Sequence, residues 1–123
     1  MALELDYTKD SELFGITAQN YADKISSVKT TQIRKFYDEV LKLQEKAQTH
    51  DFQTEVLPFV KMLKSKVAYA SHRNSGGGKL INQEFADMMI ECIDGVKNKE
   101  TLHIFALFFE AVIGFHKEKK RNY

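Results

Sequence analysis

The chain has 123 residues, of which 43% are hydrophobic and 28% charged, a balance typical of one compact globular domain without a long disordered arm. The formal net charge is only +1, so the overall balance predicts no polyanionic partner, and the single cysteine excludes an intrachain disulfide. Without a signal-peptide pattern or an apolar run of about 20 residues, we expect a cytoplasmic protein with no membrane partner.

Apolar residues recur at intervals of three and four, which is helical periodicity. After an acidic leader over residues 1–15, this pattern predicts a helix over about 17–26 with Thr17 as its N-cap. A second helix is predicted over about 31–48, capped at Thr30 or Thr31, with an outer face of mixed charge that is mostly solvated. A third covers about 52–72, and we expect it to begin near Leu57, because proline at position 58 is tolerated only in a first turn.

The segment SHRNSGGGK at 71–79 interrupts the periodicity with three consecutive glycines and predicts a flexible loop. A fourth helix is expected over about 80–96, with Gly95 at its C-cap, and a fifth over about 99–121, merging into a basic tail at 117–123. The sequence therefore predicts an all-α fold, a single-domain bundle of about five helices with a long C-terminal helix.

Apolar side chains cover nearly the whole circumference of the last helix, so it must be buried on more than one side. Either the other helices of the chain surround it, or a second subunit covers part of it. We favour self-association or a protein partner, because apolar patches of this size are rarely exposed on monomers. The expected interface residues are Phe105, Phe108, Phe109 and Phe115.

No pattern of catalytic or metal-binding residues is convincing. The histidines at 50, 72, 103 and 116 are too scattered for a zinc site, and GGGK at 76–79 fails as a phosphate loop because Leu80 occupies the required hydroxyl position. A ribonuclease using His72 and Lys79 would lack a second histidine nearby. We therefore expect no enzyme activity, no cofactor and no metal.

Charge is segregated along the chain. Between residues 56 and 83 there is no Asp or Glu, whereas the basic residues are Lys61, Lys64, Lys66, Arg73 and Lys79. At 100° per residue, Lys61, Lys66 and Arg73 share an arc with Tyr69, opposite the apolar seam of Val60 and Val67, while Lys64 lies nearer that seam. Cations beside an exposed ring are typical of sequence-independent nucleic-acid binding. The alternative interpretation is an ordinary solvated basic face without a ligand.

Two segments carry a family resemblance: KTTQIRKFYDEV at 29–40, and LPFVKMLKSKVAYA at 57–70 followed by Arg73. Together they resemble the small subunit of type III-A CRISPR (Csm) effector complexes, over about residues 17–115; the segment SHRNSGGGK departs from that pattern. The resemblance implies a non-catalytic helical subunit that stacks in several copies beside the crRNA-bound backbone and helps hold target RNA on its guide. Cleavage and cyclic-oligoadenylate synthesis belong to other subunits of such complexes.

The implied partners are target RNA, crRNA, other Csm subunits and further copies of the chain. RNA-binding residues would be Lys61, Lys64, Lys66, Tyr69, Arg73 and Lys79, with Arg34 and Lys35 as second-tier candidates. Two roles are open for Arg34, RNA contact or an ion pair with Asp38. The alternative function is a helical protein-protein adaptor that uses the C-terminal phenylalanines and does not touch RNA.

Overall fold

The structure, a computed structural model, describes residues 3–75 and 78–117, apart from the side chains at 74, 75, 78 and 79. Its helices are α1 (Ala18–Lys24), α2 (Thr30–Lys46), α3 (Leu57–His72), α4 (Gln83–Gly95) and α5 (Lys99–Phe115). Two π-helical turns, Leu13–Thr17 and Phe52–Val56, lead directly into α1 and α3. The predicted all-α fold with a long C-terminal helix is confirmed.

Helix starts follow local hydrogen bonding. Pro58 lies in the first turn of α3, as predicted, where a missing backbone N–H breaks no helical bond. Thr17 occupies the N-cap position of α1, as predicted, but its side chain makes no capping hydrogen bond: its backbone is helical and its hydroxyl donates to the Asp10 carboxylate at 2.7 Å. At the start of α5, Asn98 and Thr101 form a reciprocal capping box, with the Asn98 side chain accepting from the Thr101 N–H at 2.8 Å.

Part of the predicted loop at 71–79 is regular structure, so the prediction of a loop throughout is wrong. Ser71 and His72 complete the last turn of α3, and two-residue strands β1 (Asn74–Ser75) and β2 (Gly78–Lys79) pair in an antiparallel hairpin. The two glycines between the strands lie outside the described residues, as does the predicted basic tail beyond Lys117.

The ends of the last two helices also differ from prediction. Asn82 accepts a hydrogen bond from the Phe85 N–H at 2.8 Å, so α4 begins at Gln83 and not at residue 80. Gly95 is the last residue of α4 and Val96 is its C-cap. The final helix ends at Phe115, because His116 takes an extended backbone conformation; its Nε2 lies 3.1 Å from the Ile25 carbonyl oxygen.

Aromatic rings join the helices into one core. The α5 helix packs against α1 and α2, while α3 packs against α4. The Phe85 ring of α4 lies 5.5 Å from that of Phe36 on α2 and 6.2 Å from that of Phe109 on α5, and Tyr37 meets Phe109 edge-on at 5.4 Å. Such ring pairs add about 0.5–1.5 kcal/mol each beyond their burial.

The environment of α5 corrects the predicted protein interface. Phe105, Phe108 and Phe109 have no exposed surface, because the chain's own helices surround α5 on the sides where these rings point. They therefore cannot serve as contacts for a second subunit without unfolding the core. Of the four residues assigned to that interface only Phe115 is exposed, at 39%. Self-association itself stays a prediction.

The acidic leader, as far as it is described, lies against the helices. Leu5 is buried on Gly95, where a Cβ atom would approach the Leu5 side chain to 3.2 Å, and Leu13 is completely buried. The backbone N–H of Leu3 donates to the Glu91 carboxylate at 2.9 Å. Residues 3–13 therefore contribute to the core and cover one end of α4.

Candidate nucleic-acid interface

An open groove of about 830 Å³ lies between α2 and α3, and both segments of the family resemblance line it. One wall consists of Gln32, Lys35, Phe36, Asp38, Glu39 and Lys42 from α2; the other consists of Ser65, Lys66, Tyr69 and Ala70 from α3, with Arg73 and Leu80 beyond the helix end. The outer face of α2, which the sequence predicted to be mostly solvated, is thus one wall of a cleft.

The groove brings together four of the predicted RNA-binding residues, Lys35, Lys66, Tyr69 and Arg73. It adds Lys42, which the sequence reasoning missed although its spacing of seven from Lys35 places both on one helical face. The groove lining holds four cations and two carboxylates, Asp38 and Glu39, which leaves a formal charge of +2.

Lys66 is partly neutralised by a carboxylate from another helix, although the segment from residue 56 to 83 contains no Asp or Glu. Its Nζ donates to the Glu39 Oε1 at 2.5 Å, across the groove from α3 to α2. This hydrogen bond lowers the pKa of the Glu39 carboxyl, more than burial raises it. Both side chains are partly exposed, so the pair contributes at most about 1 kcal/mol and can exchange with another anion.

Lys61 and Lys64 lie on the other side of α3, at the carboxyl end of α4. Lys64 forms an ion pair with Asp94 and thereby lowers the pKa of that carboxyl, and the Lys61 Nζ donates to the Ile93 carbonyl oxygen at 3.4 Å. Cations near the last carbonyls of a helix interact favourably with its dipole. These two lysines therefore join α3 to α4 and do not line the groove.

Arg73 is held against the neighbouring tyrosine. Its Nη1 donates to the Tyr69 hydroxyl at 2.5 Å, and its guanidinium carbon lies 5.3 Å from the centre of the Tyr69 ring. Tyr69 is 62% exposed, and no carboxylate among the described residues forms an ion pair with Arg73. The guanidinium is thus positioned at the groove with donors available to an anion.

The remaining predicted cations lie elsewhere. Arg34 is exposed on α2 beside the groove wall, and among the described residues it forms no ion pair with Asp38. The side chain of Lys79 lies outside the described residues. Within the part of the chain that the structure describes there is no cluster of three metal-ligating side chains, and no helix long and apolar enough to cross a bilayer.

The five helices and the charged cleft between α2 and α3 define a small helical protein with an open polar groove on its surface. The family model described as Csm2 Type III-A matches residues 8–122, nearly the whole chain, and the chain belongs to that family. It is accordingly a small structural subunit of the type III-A Csm complex, and membership implies association with other Csm subunits. No curated protein and no solved structure matches the chain significantly.

Proposed function

We propose that this subunit binds the backbone of target RNA and crRNA through the α2–α3 groove, independently of base sequence and without catalysis. The observation that carries the proposal is the convergence of Lys35, Lys66 and Arg73, from both resemblance segments, on one groove. In a guided complex base pairing supplies the sequence specificity, so the protein need only neutralise phosphates and follow the strand.

Within the groove the cations have different roles. Arg73 offers the fork of donors that matches phosphate oxygens, and Lys35 and Lys42 offer point charges on the opposite wall. Lys66 must exchange its Glu39 partner for a phosphate oxygen before it contributes. Lys61 and Lys64 are left out of the proposed site because they bind the end of α4.

The proposal assigns no bond-breaking step to the groove. Its described lining carries amide, hydroxyl, ammonium, guanidinium and carboxylate groups, and neither histidine nor cysteine is among them. His72, the earlier candidate base, is exposed at the end of α3 and is not part of the lining. Intact RNA should therefore be recovered after long incubation with the protein, in the presence or absence of divalent cations.

The test is the salt dependence of single-stranded RNA binding by the full chain, followed by fluorescence anisotropy. Three to four phosphate contacts give a slope of log K against log salt of about −2 to −3, from about −0.7 per contact. Lys35→Gln and Arg73→Gln should each make the slope shallower by about 0.7. Lys9→Gln is the matched control, since Lys9 lies on the N-terminal segment and pairs with Glu4.

A wild-type slope near zero, or groove variants that bind like Lys9→Gln, would refute the proposal. The second comparison uses a variant that reverses three groove cations, Lys35, Lys66 and Arg73, to glutamate together. If it retains RNA as well as the wild type, the adaptor function is favoured; with Phe105, Phe108 and Phe109 buried, that adaptor would need a surface other than the one predicted for it.

A further inference from the structure

Exposed apolar side chains form a stripe along the outer face of α3. Phe59 is 45% exposed, Met62 53% and Tyr69 62%, whereas the core side of the same helix is buried at Val60 and Val67. With Lys66 and Arg73 the exposed residues follow intervals of three and four, so they share one face of the helix. Only the Tyr69 end of this stripe lies in the groove already described.

Each of the two exposed rings has a cation of its own chain over one of its faces. The Lys46 Nζ, at the end of α2, lies 4.2 Å from the centre of the Phe59 ring, and the Arg73 guanidinium lies 5.3 Å from that of Tyr69. Neither Lys46 nor Arg73 forms an ion pair with a described carboxylate. A base would stack on the opposite face of each ring, and the cation would neutralise the neighbouring phosphate. Stacking rings combined with nearby cations are the means by which proteins bind unpaired nucleotides.

The distance between the two rings determines whether they could stack on one base or on two different bases of a strand. Phe59 and Tyr69 are ten residues apart on one helix, which is about 15 Å along its axis. That separation is too large for both rings to stack on the same base. It suits two different bases of one strand that runs along α3, with Met62 offering apolar contact between them and Lys66 facing the backbone.

We propose that the outer face of α3 is a stacking track for an unpaired segment of RNA, in which Phe59 and Tyr69 each stack on one base. Lys46 and Arg73 hold the phosphates next to those bases. The inference rests on the proposed function and extends the site from the groove to the amino-terminal half of α3. Each ring carries a cation, Lys46 or Arg73, that pairs with no described carboxylate. This distinguishes the face from an ordinary apolar docking surface and matches a polyanion.

The experiment compares two strands with the full-length protein: a mixed-sequence single-stranded RNA and a strand of equal length with the same phosphates but abasic riboses. Phe59→Ala and Tyr69→Ala should each weaken binding of the RNA by between about fivefold and about 150-fold. The slope of log K against log salt should not change in Phe59→Ala, because stacking releases no counterions. Binding of the abasic strand should be the same for the wild type and Phe59→Ala.

Phe115→Ala is the matched control, because it removes a comparably exposed ring from the end of α5. Phe59→Tyr keeps an aromatic ring and should retain wild-type affinity, which separates stacking from any loss of fold. Duplex RNA should bind Phe59→Ala and the wild type equally, since its bases are not available to the ring.

The outcomes separate the two proposals. If Phe59→Ala binds RNA like Phe115→Ala while Arg73→Gln still weakens binding, the track is wrong and the groove stands. Equal losses of RNA and of the abasic strand in Phe59→Ala would show that Phe59 acts through structure, which also overturns the track. If the wild type binds no RNA, the groove proposal fails and the track fails with it.

Discussion

Substitution of Glu39 is the most direct test of the groove, because its carboxylate forms an ion pair with Lys66 in the absence of RNA. Glu39→Gln raises the formal charge of the lining from +2 to +3 and leaves Lys66 available to a phosphate. One added contact makes the slope of log K against log salt steeper by about 0.7, which is about fivefold more affinity gained on lowering salt from about 1 M to about 0.1 M. The amide keeps the shape of the side chain.

The cost of this substitution in stability should be small. The ion pair is partly exposed, so its loss should lower the free energy of unfolding by at most about 1 kcal/mol. Because Lys66 lowers the pKa of Glu39, the pair stabilises the fold above the unfolded pKa and this contribution is lost as the pH falls through the lower folded value. Wild type and Glu39→Gln should therefore differ in urea denaturation at neutral pH and converge in acid.

Fluorescence anisotropy over a salt series measures the effect on RNA binding. Asp94→Asn is the matched control: it frees Lys64 on the opposite side of α3, away from the groove, and should leave RNA affinity almost unchanged. An equal gain in both variants would show that net charge alone is responsible. Unchanged binding in Glu39→Gln would show that Lys66 does not contact RNA, and the reasoning from the groove would be refuted for that residue.

Two further predictions concern the fold. Phe109→Ala should lower the free energy of unfolding by about 3–5 kcal/mol in urea denaturation, because it leaves a cavity beside Phe85 and Tyr37; a loss below about 1 kcal/mol would revive its assignment to an interface. Asn98→Ala should cost about 1 kcal/mol by removing one half of the α5 capping box, whereas Asn20→Ala, within α1, breaks no cap; equal costs would contradict that geometry.

Much of the helical arrangement could be predicted from local patterns. Periodicity located the helices, and Pro58 located the start of α3, because the constraint that proline imposes lies within its own turn. Thr17 was correctly assigned to the N-cap position of α1, but the capping hydrogen bond expected of its side chain is absent for the opposite reason. Its hydroxyl bonds to Asp10, seven residues earlier, and a rule for single positions cannot weigh that competing partner.

The sequence predicted which cations lie on α3 but not which of them are paired, because charges were counted along one segment and not between helices. Helical phasing correctly placed Lys66, Tyr69 and Arg73 on one face of α3, but Glu39 approaches Lys66 from α2 and Asp94 approaches Lys64 from α4. Such pairing depends on how helices pack. The same limit applies to α5: its apolar circumference showed that it must be buried on several sides, and only the packing of α1 and α2 showed that its own chain does this.

The core also contains Cys92, the one cysteine of the chain. It is completely buried, and burial raises the pKa of its thiol well above the usual range. A thiol reagent can therefore react only when the packing around α4 opens, so the labelling rate reports the free energy of that opening in native buffer. The labelling rate of Cys92 can therefore be compared between the free subunit and the subunit assembled with its neighbours.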